Sequence, residues 1–144
     1  MSIIIREATP QDAEAISKLN RDAMGYEYSV EETVKKLQLI LSGNHDKVFV
    51  AVQGGVVVGY IHSTDYEVLY IPSMKNIMGI AVDSNCRRCG IGRSLISAVE
   101  IWAKDTGAVA IRLNSGAMRK EAHVFYRNCG FESEKNQLRF IKSS

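Results

Sequence analysis

Apolar positions along the chain switch between two spacings. Ile3-Ile4-Ile5 is a short β-branched run and reads as a first strand. Thr9-Pro10-Gln11-Asp12 has the make-up of a helix start, with Thr9 as N-cap and proline in the first turn. Ala13, Ile16, Leu19 and Ala23 follow at helical spacing, and Gly25 ends the run. Ser29 and Glu32 form a second capping signature, followed by Val34, Leu37, Ile40 and Leu41, with Gly43 closing the helix.

The texture then becomes strand-like. Residues 47–53 form a strand, Gly54-Gly55 a hairpin turn, and residues 56–62 the returning strand. Residues 63–73 are mixed and polar, so a strand end and a loop are expected. Residues 76–82 read as a buried strand, 91–104 as a strongly periodic helix, and 108–113 as another strand. A short helix over 118–128 ends at Cys129-Gly130. Phe131 and residues 137–142 are expected to supply one or two last strands. The order predicts an α/β domain with a mixed sheet and helices on both faces. No linker or repeat interrupts it, so residues 1–144 are expected to form a single domain.

Composition narrows the classes. A chain of 144 residues with 46% hydrophobic and 24% charged residues can bury a core without metal or disulfide staples. A net charge of +2 points to no nucleic-acid partner. No run reaches the ~18 apolar residues of a membrane span. The opening residues lack the basic region of a secretory signal. Three cysteines make no disulfide framework. A reduced, cytoplasmic protein is expected.

The chemistry concentrates where the strand at 76–82 runs into Arg87-Arg88-Cys89-Gly90-Ile91-Gly92-Arg93 and then into a helix. Glycines admit an anion close to the backbone. The helix N-terminus adds unsatisfied amides and a positive dipole end. Arg87, Arg88 and Arg93 add charge, so the loop suits a diphosphate. The dinucleotide fingerprint fails, because Gly90 and Gly92 are followed by Leu95, and no P-loop is present.

What matches is R-x-x-G-x-G, at Arg87, Gly90 and Gly92. Together with Ile80-Ala81-Val82-Asp83 before it, it resembles the acyl-CoA loop of the GCN5-related N-acetyltransferases. Ala122, Tyr126, Gly130 and Phe131 match that family's A-x-x-x-Y-x-x-x-G-F signature, and Ile5-Arg6-Glu7-Ala8-Thr9 with Asp12 resembles its opening. The likeness spans essentially the whole chain.

The resemblance implies a mixed, mostly antiparallel sheet splayed at the fourth and fifth strands, with the acyl thioester of acetyl-CoA in the opening. The backbone around Ile80, Ala81 and Val82 would pair with the pantetheine arm. The backbone amides of Arg88 to Arg93 would hold the diphosphate, with Arg87 and Ser94 as further cofactor-binding residues. Tyr126 corresponds to the tyrosine that protonates the leaving thiolate, a role suited to a phenol protonated at neutral pH. Reaction by direct attack of a primary amine in a ternary complex follows. The acceptor is a small molecule or a peptide amine, and a homodimer through C-terminal strands is a further implication. Two family features are missing. Arg119 stands where an Asn often contacts the pantetheine, with Asn114 and Ser115 as neighbouring alternatives. Asn76 occupies the region of the usual glutamate base. His62 and Glu67, on or just after the strand facing the acceptor in this family, are then the candidate bases, with Asp65 beside them.

Other readings stay open. Tyr26, Tyr28, Tyr66, Tyr70 and Met24 either pack or line an acceptor pocket, where Glu27, Glu31, Glu32, Asp65 and Glu67 could supply acid. Cys86-x-x-Cys89 has the spacing of a redox pair and, with His123 and Cys129, of a zinc site. Neither accounts for the glycines at 90 and 92, and no metal is expected. An acyl-CoA-binding module without transfer activity is the remaining alternative. His45 reads as loop.

Overall fold

The computed structural model describes residues 2–86, 89–133 and 135–144. The expectations for Arg87 and Arg88 lie outside them. The chain divides into two compact units, Met1–Leu113 and Asn114–Ser144.

The first unit is a five-stranded sheet in the order β1-β2-β3-β4-β5, formed by Ile3–Glu7, Asp46–Gln53, Val56–Tyr66, Met74–Val82 and Ile111–Leu113. The first three pairings are antiparallel and β4–β5 is parallel. The mixed, mostly antiparallel sheet read from the sequence is therefore present. Gly54 and Gly55 both take positive φ, 59° and 79°, as the tight β2–β3 turn requires.

Helices α1 (Ala13–Met24) and α2 (Val30–Leu41) cover one face. Ile16, Leu19 and Leu37 pack there with Val48, Val50, Tyr60 and Ala81 of the sheet. Helix α3 (Ile91–Asp105) covers the other with buried Ile91, Leu95, Ile96 and Val99. Strand alternation separates the two cores. Gly59 sits under α3, where an added Cβ would be 3.1 Å from Ile91 Cγ2. Tyr60, one residue on, reaches Asn20 of α1. Even-numbered positions of β3 from Tyr60 onward thus face α1.

Thr9 and Pro10 open a 3-10 turn, Pro10–Asp12, that leads into α1. The Asp12 carboxylate accepts from the Thr9 amide at 2.8 Å and pairs with Arg6. Gly25 closes α1 in the left-handed region, φ 72°. The Glu32 amide donates to Ser29 Oγ at the start of α2.

The second unit holds α4 (Lys120–Asn128), closed by Gly130 at φ 96°. The expected C-terminal strands are not formed: no strand follows Leu113 among the described residues. Leu138, Phe140 and Ile141 are exposed instead. Alternation along residues 137–142 supplies a strand-like pattern, but a strand exists only when a neighbour completes its hydrogen-bond ladder.

Candidate active site

Two irregularities in β4 build the site. Strand β3 pairs His62 with Gly79 and Ser63 with Ile77, so Met78 is an extra residue bulged out of β4. The parallel pairing with β5 spans only Lys75, Asn76 and Ile77 against Ile111, Arg112 and Leu113. From Gly79 to Val82, β4 has β3 as its ladder partner on one edge and, among the described residues, no β5 residue on the other. Ile80, Ala81 and Val82 lie on that open edge. The Ala81 side chain is buried on the α1 face, which leaves backbone as this segment's polar offering.

The open edge leads toward the loop that precedes α3. The Asp83 amide donates to the Val58 carbonyl at 2.8 Å, and the Asp83 carboxylate accepts from the Asn85 amide. Gly90 caps α3 at φ +79°, a conformation that favours glycine. The helix's first bond runs from the Ser94 amide to the Gly90 carbonyl, so the Ile91 and Gly92 amides have no intrahelical acceptor. The Ile91 side chain, 1% exposed, is a core anchor that holds this helix end against β3. Backbone amides and a dipole end presented on a rigid mount fit a diphosphate. Cys89 is exposed beside them.

On the α1 face of the sheet, Gly79 leaves a gap. A Cβ there would lie 3.6 Å from the Tyr60 hydroxyl, which donates to Asn20 Oδ1. Burial pushes the Tyr60 phenol up to about 12, opposed by the Asn20 hydrogen bond and reinforced by Tyr26. His62, two residues along β3 and opposite Gly79, adds the next side chain on this face. Its Nε2 is 2.6 Å from Asp46 Oδ2.

Glu67 lies elsewhere. It follows β3, is exposed, and accepts from Ser73 Oγ at 2.9 Å. A cavity of about 140 Å³ next to it is lined by Asp65, Glu67, Ser73, Lys75, Trp102 and Thr106. Along β4, Ser73 precedes Gly79 by six residues, on the order of 20 Å at the rise of a strand. Buried Lys75 bonds Asp65 at 2.5 Å and sits 3.8 Å from the Trp102 ring centre. Burial pushes the Asp65 carboxyl up, but hydrogen bonds from Lys75 and His45 outweigh it and hold the group below its ordinary value. Asn76 accepts from Arg112, whose guanidinium lies 4.2 Å from the Tyr66 ring centre. Asp65 and Tyr66 are thus engaged within the protein. Tyr26, Tyr28 and Tyr70 are exposed.

In the second unit Tyr126 is buried, with its ring 5.5 Å from Phe125 and 5.9 Å from Phe131. Burial raises its phenol above the ordinary value, against a lowering by Arg119 and with a raising by Cys129. Arg119 is the N-cap of α4, Asn114 is exposed, and Ser115 Oγ is buried with no hydrogen-bond partner among the described residues. His123 bonds the Gly116 carbonyl at 2.9 Å, which gives it a local structural partner. Cys86, Cys89 and Cys129 form no disulfide among the described residues. Residual burial, Asp83 and Cys89 push the Cys86 thiol up, away from the thiolate that redox chemistry uses.

Asp46, Thr64, Tyr60, Asn20 and Gly79 were absent from the residues singled out in the sequence. Gly79 carried one usable signal, since glycine inside a strand marks a bulge or a close approach.

The bulged β4 leads in the chain to a glycine-capped helix N-terminus whose first amides face outward, a geometry that suits an anion. Residues 13–131 match the acetyltransferase (GNAT) family, and the chain belongs to that family. It is an N-acetyltransferase. The aminoglycoside N(6')-acetyltransferase type 1 of Stenotrophomonas maltophilia is 27% identical over 146 residues, covering 94% of this chain and 90% of the relative. The solved structure of a transcriptional regulator from Bacillus halodurans C-125 is 25% identical, with a TM-score of 0.87 over 98% of this chain and 100% of that one. The structure of AAC(6')-Iy with the bisubstrate analog CoA-S-monomethyl-acetylneamine shares the fold at 18% identity, with a TM-score of 0.88 and full coverage of both chains. Among the described residues no helix is long and apolar enough to cross a membrane.

Proposed function

We propose that residues 1–144 act as one domain that moves the acetyl group of acetyl-CoA to a primary amine of a cationic, ring-bearing small molecule. The open β4 edge running into the glycine-capped end of α3 is the observation that carries the donor half. The backbone of Ile80 and Val82 pairs with the pantetheine arm, and the Ile91 and Gly92 amides, with Arg87, Arg88 and Arg93, hold the diphosphate. In the ternary complex the amine nitrogen bonds to the thioester carbon and the C–S bond breaks. Tyr126 gives its proton to the departing sulfur and regains one from water. His62 takes the proton released by the amine. Its place opposite Gly79, beside the open edge, favours it over Glu67.

The acceptor class rests on two supports. The α1–α2 connection exposes Tyr26, Glu27 and Tyr28, and α2 opens with exposed Glu31 and Glu32. This acidic, aromatic surface suits an amino sugar. One relative that spans most of the chain is an aminoglycoside N(6')-acetyltransferase. The exposed Leu138, Phe140 and Ile141 suit pairing of two copies, and the three thiols suit the cytoplasm.

The test has two parts. Acetyl-CoA should raise the melting temperature of the wild-type chain, and Gly92→Glu should erase that shift by crowding and repelling the diphosphate. An unchanged shift in the variant removes the loop assignment. Thiol release from acetyl-CoA is then followed with kanamycin A, spermidine and an unblocked peptide. Preference for the peptide overturns the acceptor class.

A further inference from the structure

His62 is held in one particular way. Its Nε2 is 2.6 Å from Oδ2 of Asp46, the first residue of β2. The other carboxylate oxygen, Oδ1, accepts from Thr64 Oγ1 at 2.8 Å. Thr64 is the cross-strand partner of Asp46, so the β2–β3 register itself brings the two together. Both ionisable side chains are mostly withdrawn from water, His62 at 19% exposure and Asp46 at 23%. A carboxylate only accepts, so a neutral His62 bonded to it must carry its proton on Nε2. The lone pair then falls on Nδ1. The two ring nitrogens point in diverging directions, so a ring tied to β2 through Nε2 turns Nδ1 away from β2.

The neighbour of β3 on its other side is β4. Gly79, opposite His62, has no side chain to cover this stretch of β4, and the Tyr60 hydroxyl bounds the gap. The bulge at Met78 begins the open edge one residue away.

We infer that Asp46 is a positioning residue for acetyl transfer: anchored by Thr64, it fixes the tautomer and orientation of His62 so that Nδ1 is the proton acceptor. The assignment rests on the acetyl-transfer reading and on His62 as its base. As the C–N bond forms and the C–S bond breaks, the amine proton passes to Nδ1. The resulting imidazolium is paired with the Asp46 carboxylate until the proton leaves to water. Asp46 touches neither substrate. Its effect runs through the ring.

The test uses the full chain and separates the assignment from the reading beneath it. Long-range ¹H–¹⁵N spectra at a pH where His62 is neutral should show the Nε2–H tautomer. Asp46→Asn should convert it to a mixture. An Nδ1–H ring in the wild type, or no change in the variant, overturns the assignment whatever the activity. With acetyl-CoA and kanamycin A, Asp46→Asn should lower kcat about 10–100-fold and leave both KM values within about twofold. The same substitution in a His62→Ala background should cost nothing more, because the two act as a unit. Additive losses overturn the assignment. Thr64→Val, which removes the anchor together with the longer Thr64 Oγ1 contact to the His45 carbonyl at 3.2 Å, should give a smaller loss of kcat in the same direction and covers the case in which Asp46→Asn folds poorly. A wild-type chain that releases no thiol with kanamycin A counts against the acceptor reading; the tautomer measurement still decides whether Asp46 orients His62, and the kcat comparison is then made with whichever amine of the panel the chain acetylates.

Discussion

Gly79 and Tyr60 meet across the β3–β4 ladder, with the phenol oxygen 3.6 Å from where a Cβ on residue 79 would sit. That distance is ordinary contact, so Gly79→Ala should leave kinetics close to wild type. Gly79→Val pushes a branched side chain against the hydroxyl and fills the gap. It should raise the acceptor KM about tenfold or more while keeping the acetyl-CoA thermal shift. Equal loss of both would show that residue 79 borders the donor, not the acceptor.

Gly90→Ala tests the helix entry. The position needs φ +79°, and an alanine there costs about 1–2 kcal/mol. Space is not the obstacle, since nothing lies within 4 Å of the added Cβ. The variant should melt lower and gain less from acetyl-CoA. A full acetyl-CoA shift on a less stable chain would separate the conformational effect from the binding one.

Tyr126→Phe keeps the ring among Phe125 and Phe131 and removes the acid. Stability should change by less than about 1.5 kcal/mol, while kcat falls about 100-fold. Burial raises the wild-type phenol above its ordinary value, so the group stays protonated through neutral and mildly alkaline pH. Activity should fail on the alkaline side only as pH rises through that elevated value. A variant with wild-type kcat removes Tyr126 from the chemistry.

Asp12 ties the first turn to β1. The Arg6 hydrogen bond holds its carboxyl below the ordinary range, against a desolvation cost, with help from the Thr9 amide. A depressed folded-state value means that the contribution is full above the unfolded carboxylate range and fades as pH falls through the folded one. Asp12→Ala should cost about 1–2 kcal/mol by urea unfolding at pH 7. The difference from wild type should shrink toward pH 2. A pH-independent gap would assign the loss to packing.

Lys75 is a buried cation held by Asp65 and the Trp102 ring. Lys75→Ala leaves a partly exposed carboxylate without its partner and should cost about 2 kcal/mol, less than a fully buried pair because Asp65 reaches water. Lys75→Met retains the apolar stem and should lose less. Because this cluster lies at the far end of β4 from Gly79, acetyl-transfer constants should stay within about twofold.

Much of the molecule was legible along the chain because its cause is local. Thr9-Pro10, Ser29, Gly25 and Gly54-Gly55 act within a few residues of themselves, and the helix and hairpin boundaries fell close to the expected ones. The Gly90–Gly92 segment was legible for the same reason: a phosphate-binding turn is built from consecutive amides. His62 was found by type and placement alone, with no sign of what orients it. Asp46 stood unremarked because its bonds to His62 and Thr64 cross the β2–β3 ladder, over separations of 16 and 18 residues. Residues 137–142 show the converse. Their alternation is a local fact, and the ladder partner a strand requires is not.

The sequence by itself determined the mixed sheet, the helices on its two faces, the glycine-led entry to α3 and the kinship with acetyltransferases. Tertiary structure decided where β4 bulges, where β5 stops pairing, and which polar groups are already spent on one another, as Asp65 is on Lys75 and Asn76 on Arg112. The reason is the range of the forces. Turn and cap chemistry is settled by neighbours along the chain. Register, bulges and buried charge pairs are settled only when separate strands lie side by side.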